Sequence, residues 1–415
     1  MKAHRTENRK PEAERMGAKL PATVVGLGLV SLFTDVSSEA IFPLLPAFLA
    51  ALGSSGAFIG LVEGAAELTA NVLKFVMGRL IDRSARLKPW VLLGYGLSTF
   101  VRPLVAFAWV PWHVLLVRVG DRVGKGVRTT PRDALIAAAT ADGSRARAYG
   151  FHRAMDHSGA VLGTLLASGL LWWLGASARP SPANLAIMRQ VFLWAALPGF
   201  VALAVLVRTR EPTRMTAAAA ASMQGAALSP ALKRVLVALT LFAFANATDA
   251  FLIVKAARLG ASPAWAPLIW LTLHVAKATT ATHGGALADK YGKREALILG
   301  WILYAALWSL VGFVQSLGLL LALTAVYGLS YGLIEGAERG LIADLAQGHK
   351  RGAAFGAYNL LIGLAALASS TATGAIWDRW GSTIAFCGSA SFALLAALAL
   401  AILLPKPFIA RHARP

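Results

Sequence analysis

Apolar residues recur along the chain in long runs, and short segments rich in charge, glycine or proline separate these runs. A helix needs ~20 apolar residues to cross the hydrocarbon core of a bilayer. The pattern therefore predicts an all-α membrane protein with twelve transmembrane helices. Their predicted bounds are residues 22–50, 57–80, 89–109, 112–138, 146–175, 186–208, 231–258, 263–288, 294–315, 318–346, 351–377 and 383–404.

The composition agrees with this pattern. The chain of 415 residues is 57% hydrophobic and 14% charged, whereas soluble domains have roughly 45–50% apolar and 25% charged residues. The single cysteine, Cys387, lies in an apolar run. A disulfide framework and a cysteine-based metal site are therefore excluded.

The net charge of +20 is a property of the connecting segments. Lysine and arginine concentrate in every second connection, as the positive-inside rule expects for cytoplasmic segments. An even number of helices places both ends of the chain on that same side. We therefore expect cytoplasmic termini, a bacterial inner (plasma) membrane and a lipid environment, and no nucleic-acid partner.

The longest polar connection, residues 209–230, divides the chain near its middle. The first residues mix basic and acidic side chains without the early apolar stretch of a signal peptide, so they are expected to form a cytoplasmic extension. The predicted organisation is a tail over 1–20, a six-helix bundle over 21–208, a cytoplasmic linker over 209–230, a second bundle over 231–405 and a tail over 406–415.

Two similar motifs lie half the chain apart. Residues 78–83 read GRLIDR after the second predicted helix, and residues 285–294 read GALADKYGKR after the eighth. A weaker pair follows the fourth and tenth helices, RDALIA at residues 132–137 and RGLIAD at residues 339–344. Repeats at this spacing indicate two bundles related by duplication.

At these motifs the sequence resembles the major facilitator superfamily, whose signature has the form G-x-L-x-D-R/K-x-G-R/K-R/K. Residues 285–294 match it almost completely, whereas residues 78–88 match up to Asp82 and Arg83 and lack the second glycine. The resemblance covers residues 20–405. It implies two pseudo-symmetric six-helix bundles that rock about a central solute site, and so a transporter of twelve-span type.

The resemblance also implies a gate at the cytoplasmic ends of the helices. The macrodipole favours an anion at a helix N-terminus, so we expect Asp82 to meet the start of the eleventh helix and Asp289 that of the fifth. The basic residues are expected at the lipid headgroups. Alternatively these are turn residues whose charge sets topology only. The candidate gating residues are Gly78, Asp82, Arg83, Gly285, Asp289, Lys290, Gly292, Lys293 and Arg294.

Ionisable side chains at bilayer depth cost about 2.5–3.5 kcal/mol each on the insertion scale and so indicate function. The second predicted helix carries one polar stripe, which cannot face lipid, and the fourth carries a basic face. Two interpretations stay open for these charges: a buried structural network and the binding of protons. The candidate proton-coupling residues are Asp35, Glu39, Glu63, Glu67, Arg118 and Asp156, where the role of Arg118 is implied by the resemblance.

His152 and Asp156 lie four residues apart, as do Arg153 and His157, in the fifth predicted helix. Two histidines near one aspartate can bind a metal, but a hydrogen-bonded pair is the commoner arrangement. We therefore predict no metal site.

The second half carries fewer charges, so we expect apolar and aromatic solute contacts there and coupling charges in the first half. The candidate residues of the solute cavity are Asn71, Arg122, Lys125, His152, Asn246, Asp249, His274, Tyr327, Tyr331 and Glu335.

The leading hypothesis is a monomeric secondary transporter that exports a small organic compound, needs no cofactor and uses the proton gradient. A symporter or exchanger of an organic or phosphate-type anion, bound by the basic face of the fourth helix, is the alternative. A membrane-embedded enzyme is a third class, but the sequence contains no catalytic triad, metal-ligand run or Walker loop. No protein partner is predicted.

Overall fold

The computed structural model of the protein describes residues 20–81, 84, 86–140, 145–176, 182–211, 228–261, 263, 265–346 and 351–405. The regular structure in these ranges is helical, and we number its twelve segments α1 to α12. The first six are α1 (Ala22–Ile41, continued by the 3-10 turn Phe42–Leu44 and by Leu45–Ala51), α2 (Gly56–Ile81), α3 (Lys88–Val101, then the 3-10 turn Arg102–Phe107), α4 (Pro111–Ala139), α5 (Arg145–Trp173) and α6 (Pro182–Trp194 and Ala196–Arg208).

The second six follow the linker. They are α7 (Pro230–Ala245 and Ala250–Arg258), α8 (Trp265–Tyr291), α9 (Lys293–Phe313), α10 (Leu317–Leu345), and α11 and α12, which are the two parts of Arg351–Leu403 before and after Gly381. Gly381 has a φ of 87°, a conformation that glycine adopts without steric strain. The chain reverses direction at Gly381, and α12 runs antiparallel to α9. Thr383 accordingly bonds the end of α9, and Leu404 bonds its start.

The twelve predicted helices agree with these segments to within a few residues, except that α6 and α7 were predicted as continuous, and the longer break is in α7. The helix stops at Ala245 and resumes at Ala250. The backbone between the two parts bonds α11 instead, since the amide of Thr248 donates to the hydroxyl of Ser370 at 3.2 Å. Hydropathy alone does not detect such a break.

Within the described ranges, eight helical stretches, one of which runs through α11 and α12, are long and apolar enough to cross a membrane. The segments outside this set are α4, α5 and α8, which carry polar and charged side chains within their length. A helix that carries charges is stable in a membrane only where other helices or a cavity cover those charges. The charged faces of α4, α5 and α8 must therefore be covered in this way.

The two halves pack in the same way. In the first bundle α1 packs against α5, α2 against α4, and α3 against α4 and α6. In the second bundle α7 packs against α11, α8 against α10, and α9 against α10 and α12. Each contact has its counterpart six helices later. The predicted fold class, two pseudo-symmetric six-helix bundles, is therefore confirmed.

One pair of side chains shows the duplication in atomic detail. The amine of Lys88, which begins α3, donates to the carbonyl of Val207 in α6 at 2.9 Å. In the second bundle Arg294, at the start of α9, donates to the carbonyls of Ala401 and Leu404 in α12. Basic side chains commonly cap the last carbonyls of a helix in this way. Arg294 is thus buried in the protein instead of lying at the headgroups, where the sequence placed it.

We call the face that carries residues 20, 211 and 405 the terminal face, and the opposite one the distal face. The bundles meet along α2 and α11, and also along α5 and α8. Glycines allow α2 and α11 to approach closely near the distal face, because a side-chain carbon added at Gly60 would collide with the backbone of Ser370, and one at Gly374 with that of Gly56. Small residues allow this in membrane helices generally.

Asp378, at the distal end of α11, closes this contact. Its carboxylate accepts hydrogen bonds from the amides of Gly56 and Ala57, both at 2.8 Å. These amides belong to the first turn of α2, where the helix leaves its donors free and its dipole favours an anion. A residue of the second bundle thus caps a helix of the first.

We expect Gly60→Ala to destabilise the protein by about 1–3 kcal/mol, because the added methyl forces α2 away from α11. Gly169→Ala is the matched control, since no atom lies near a side-chain carbon added at that position in α5, and alanine favours a helix over glycine by up to ~1 kcal/mol. Thermal unfolding in detergent measures both. An unchanged melting temperature for Gly60→Ala would contradict close packing at this seam.

Candidate transport cavity

A cavity of about 650 Å³ lies between the two bundles. It extends from Phe42 and Trp270, deep in the protein, to Arg339 and Tyr358 near the terminal ends of α10 and α11. The described part of the seam between α2 and α11 separates it from the distal face. Its lining residues are Phe42, Glu63, Glu67, Asn71, Lys74, Arg122, Thr129, Asp133, Arg153, Ala243, Asn246, Ala247, Thr248, Asp249, Trp270, Tyr331, Arg339, Phe355, Tyr358, Asn359, Ile362, Ala366 and Ser370.

The polar stripe of α2 lines this cavity along its length. Its members are Glu63, Glu67, Asn71 and Lys74, which recur at helical spacing and so share one face. The amide of Asn71 donates to Glu67 at 3.0 Å, and its carbonyl oxygen accepts from Lys74 at 3.1 Å. Three of the four members, from Glu67 to Lys74, are therefore connected by hydrogen bonds, and the stripe faces the cavity and not the lipid.

Glu63 forms a buried ion pair with Arg118 of α4. The guanidinium donates twice, with Nε at 3.2 Å from Oε1 and Nη2 at 2.9 Å from Oε2. The same guanidinium stacks on the ring of Phe42, 4.4 Å from its centroid. Both charged side chains are less than a tenth exposed. In this conformation two of the predicted proton-coupling residues are therefore bound to each other.

Asp121 extends this network to α3. Its carboxylate accepts from Arg102 at 2.7 Å and lies 3.9 Å from Arg118. Arg102 also donates to the carbonyl of Thr34 in α1 at 3.1 Å. One aspartate of α4 thus ties together three helices of the first bundle. Sequence reasoning placed Asp121 in the charged helix but did not single it out.

A second pocket, of about 190 Å³, lies beside the inner end of the cavity and shares Phe42, Arg122 and Trp270 with it. It also brings together Asp35 and Glu39 of α1, Lys125 of α4 and His274 of α8; its remaining lining residues are Ser38, Arg102, Arg118, Asp121 and Arg128. Predicted coupling residues and predicted cavity residues therefore meet in one place.

The two carboxylates of this pocket have different surroundings. Glu39 accepts a hydrogen bond from the indole of Trp270 at 2.7 Å, so it joins the two bundles. The carboxylate of Asp35 takes no hydrogen bond or ion pair from the described residues. Asp35 is thus the acidic group of this region that can change its charge without breaking a bond of the fold.

The histidine cluster of α5 is a hydrogen-bonded group. Nδ1 of His152 lies 3.4 Å from Asp156, which also accepts from Ser31 of α1 and lies 3.6 Å from Arg153. Within the described part of the chain, no three potential metal-binding side chains come together. Asp156 and His152 lie outside the lining of both pockets, and of this cluster Arg153 alone reaches the cavity.

The second bundle carries a charged cluster of its own. Asp249 accepts from Lys277 at 2.9 Å and from the hydroxyl of Tyr327 at 2.8 Å. The amine of Lys277 also lies 4.1 Å above the ring of Tyr331. The break in α7 places Asp249 at the cavity wall. The second bundle thus places a charged pair beside the aromatic contacts that were expected there, while the assignment of the coupling charges to the first bundle stays a prediction.

The other predicted cavity residues are placed as follows. Asn246 and Tyr331 line the cavity, and His274 lines the smaller pocket. Tyr327 is fully buried behind the wall. Glu335 pairs with Arg339 at 3.2 Å on the half-exposed terminal end of α10, outside the lining.

Several lining residues were not predicted, among them Trp270, Phe355 and Tyr358. They lie in helices that read as apolar, and aromatic residues in such helices pack against lipid or neighbours as often as against a cavity. The sequence offered one indication that Trp270 faces the cavity. It lies one turn before His274, a predicted cavity residue, so both share one face of α8.

The gating motif is described in part. Asp82 and Arg83 lie outside the described residues, and so do the surroundings of Gly285 and Asp289, so the expected contacts of both aspartates stay predictions. Gly78 lies in α2, Lys290 lies near the ring of Tyr291, and Gly292 turns the chain with a φ of 106°. The amine of Lys293 bonds Asp344 in α10 at 2.6 Å.

The family follows from comparison with known sequences. The model of the Major Facilitator Superfamily matches residues 27–281 and 235–414, which together cover nearly the whole chain. The chain belongs to this superfamily. It is accordingly a multi-pass membrane transporter and not an enzyme.

Relatives and solved structures agree with this membership. The chain is 28% identical to an uncharacterised MFS-type transporter of Methanocaldococcus jannaschii, over 86% of this chain and 89% of that protein. It is 31% identical to the multidrug resistance protein MdtH of Proteus mirabilis, over 33% of this chain and 36% of that protein.

The fold is shared with a bacterial homolog of the human lysosomal transporter Spinster in an inward-facing conformation, with a TM-score of 0.70 and 16% identity over 97% of this chain and 98% of that one. It is also shared with a D-xylose-proton symporter, with a TM-score of 0.71 and 17% identity over 93% and 97%.

We expect Glu63→Gln to lower the melting temperature strongly, because it leaves Arg118 buried without its main partner, a loss of about 3–5 kcal/mol. The double variant Glu63→Gln with Arg118→Gln recovers part of this loss, since it removes the uncompensated charge. Thermal unfolding in detergent measures both.

The control is Arg339→Gln, which removes a half-exposed pair worth at most about 1 kcal/mol. Equal effects of Glu63→Gln and Arg339→Gln would contradict a tightly bound buried pair.

Proposed function

We propose that this transporter moves a small organic solute by alternating access and couples the movement to protons. The observation that carries the proposal is the pocket at the inner end of the cavity, where Asp35 and Glu39 face Arg122 and Lys125. Ionisable groups at this depth are expensive and are retained for function. No cofactor is needed, since the proton gradient supplies the driving force.

Asp35 is the group best suited to carry the proton. Protonating Glu63 would deprive Arg118 of its main partner at a cost of several kcal/mol, whereas Asp35 has no such bond to lose. Glu39 and Glu67 are the next candidates, because their partners, the indole of Trp270 and the amide of Asn71, are neutral. Protonation of these three groups therefore disrupts the fold least.

Alternating access uses the contacts between the bundles. In this conformation the distal seam holds, through Asp378 and the glycines of α2 and α11, while the cavity reaches towards the terminal face. The opposite conformation requires the seam to open and the terminal ends to meet, as the gating motif provides. The hydrogen bond from Trp270 to Glu39 joins the two bundles next to Asp35. Protonation of either carboxylate can therefore change the strength of the contact between the bundles.

Export is the direction that we propose, out of the cytoplasm across a bacterial inner membrane with both termini cytoplasmic. The excess of basic residues on the terminal side supports this orientation. The partial match to proteins named for multidrug resistance supports export.

The proposal is tested in proteoliposomes with an imposed pH gradient and a panel of labelled anionic, neutral and cationic aromatic compounds. Accumulation of any of them that depends on the gradient and is absent from protein-free vesicles supports it. Transport that is unaffected when the gradient is collapsed would refute the proton coupling.

We expect Asp35→Asn and Glu67→Gln to abolish gradient-driven accumulation while solute exchange between the two sides continues, because exchange needs no net proton movement. Arg258→Gln is the control, since it neutralises an exposed charge at the distal end of α7, outside the lining of both pockets. Tracer flux measured with and without a pH gradient separates the two activities. Full proton dependence in both variants would show that other residues carry the proton.

A further inference from the structure

Arg122 differs from every other described arginine of α4. Arg118 is paired with Glu63, Arg128 donates to the hydroxyl of Ser98 at 2.6 Å, and Arg132 is paired with Asp133 at 2.9 Å. No described residue offers Arg122 a hydrogen bond or an ion pair, and its Nε atom is fully buried. A buried cation without a partner costs several kcal/mol.

Lys125 lies three residues further along α4 and so projects from the same face. No described residue pairs with this amine either. Both side chains line the smaller pocket, and Arg122 also lines the 650 Å³ cavity. Two cations that the fold leaves unpaired thus meet where the two spaces join.

No carboxylate of the same pocket forms an ion pair with these two cations. Asp35 and Glu39 form no ion pair with either cation, and Asp121 is bound to Arg102. The positions that a bidentate acceptor takes on a guanidinium are therefore not occupied by the protein's own acids.

The second bundle contributes four aromatic side chains to the cavity wall, beside polar residues such as Asn246 and Asp249. Trp270, Tyr331, Phe355 and Tyr358 of the second bundle line the cavity, and Phe42 packs against Trp270 with its ring centre 4.5 Å away. A flat apolar body fits such a wall, while an anionic group fits the unpaired cations.

We propose that the solute is an amphiphilic organic anion, whose carboxylate or phosphate binds Arg122 and Lys125 and whose apolar body lies against Trp270, Tyr331 and Tyr358. This rests on the proposed function in so far as the cavity is the path of a transported solute. A guanidinium matches the two oxygens of a carboxylate or phosphate, and such charge-assisted pairs are stronger than neutral hydrogen bonds. The charge of the site sets which solutes bind, whereas the ion gradients set the direction of transport.

The first experiment compares three probes that share one aromatic body. Purified protein in detergent is titrated with 2-naphthoate, 2-naphthylmethanol and 2-naphthylmethylammonium, and binding is measured by equilibrium dialysis. We expect the anion to bind at least about tenfold more tightly than the other two, which corresponds to about 1.4 kcal/mol. Equal or tighter binding of the neutral or cationic probe would overturn the proposal.

The second experiment assigns the binding to the two cations. Arg122→Gln should weaken 2-naphthoate binding at least about tenfold, Lys125→Gln should weaken it less, and Arg122→Lys should restore part of it. Arg258→Gln, which removes an exposed cation at the distal end of α7, is the matched control and should bind as the unaltered protein does.

Folding is followed by thermal unfolding. Because Arg122 has no partner to lose, Arg122→Gln should keep or raise the melting temperature, in contrast to Arg118→Gln. Unchanged 2-naphthoate binding in folded Arg122→Gln would overturn the proposal.

A third comparison identifies the source of the anion. Competition against 2-naphthoate by 2-naphthyl phosphate indicates a free solute. Competition by lysophosphatidylglycerol, but not by zwitterionic lysophosphatidylcholine, indicates a lipid headgroup. Either result supports an anion site, whereas competition by neither anion would refute it. Binding is measured without a gradient, so it is independent of the test of proton coupling with Asp35→Asn.

Discussion

The absence of water in the bilayer is the constraint on which this structure depends. A charged side chain there needs an opposite charge, a hydrogen-bonding partner or a cavity. The helix α4 carries more of these charges than any other helix, and the first bundle is built around it. Arg118 pairs with Glu63 of α2, and Asp121 pairs with Arg102 of α3. Arg128 donates a hydrogen bond to Ser98 and lies over the ring of Tyr95. The charges that remain face the space between the bundles, so the cavity and the packing of the first bundle have one cause.

The contact between the bundles has a different character. Along α2 and α11 it consists of glycine backbones in close approach and a carboxylate, Asp378, on a helix N-terminus. At Gly60 and Gly374 backbone meets backbone, so no side chains interlock at that end of the seam. Towards the terminal face, Phe75 and Leu68 of α2 pack against glycines of α11. Inside the second bundle, by contrast, Trp301, Tyr304 and Trp308 are completely buried, with Trp301 stacked on Phe242 and Tyr304 stacked on Trp308. The contact between the bundles thus differs in kind from the packing inside them, in keeping with the proposed alternating access.

Much of the fold was accessible from the sequence, and less of the site was. Hydropathy located twelve helices, and the motifs at residues 78–83 and 285–294 revealed the duplication that Lys88 and Arg294 show in detail. The stripe from Glu63 to Lys74 was recognisable because helical spacing is local. The break in α7, the inter-bundle bond from Trp270 to Glu39 and the aromatic wall of α11 were not, because an apolar sequence does not say which of its faces meets a partner. Asp378 likewise gave no signal, since its function depends on a helix start more than 300 residues away.

The amino-acid sequence by itself determined the number of helices, the two related halves and the concentration of charge in α1, α2, α4 and α5. These properties depend on length, periodicity and composition, which are local. The tertiary structure decided which charges pair. Glu63 and Asp121 neutralise Arg118 and Arg102, whereas Arg122 and Lys125 are left to the cavity, because Coulomb energy and hydrogen bonding depend on distances of a few ångströms between helices. Only the packing of the bundles sets those distances.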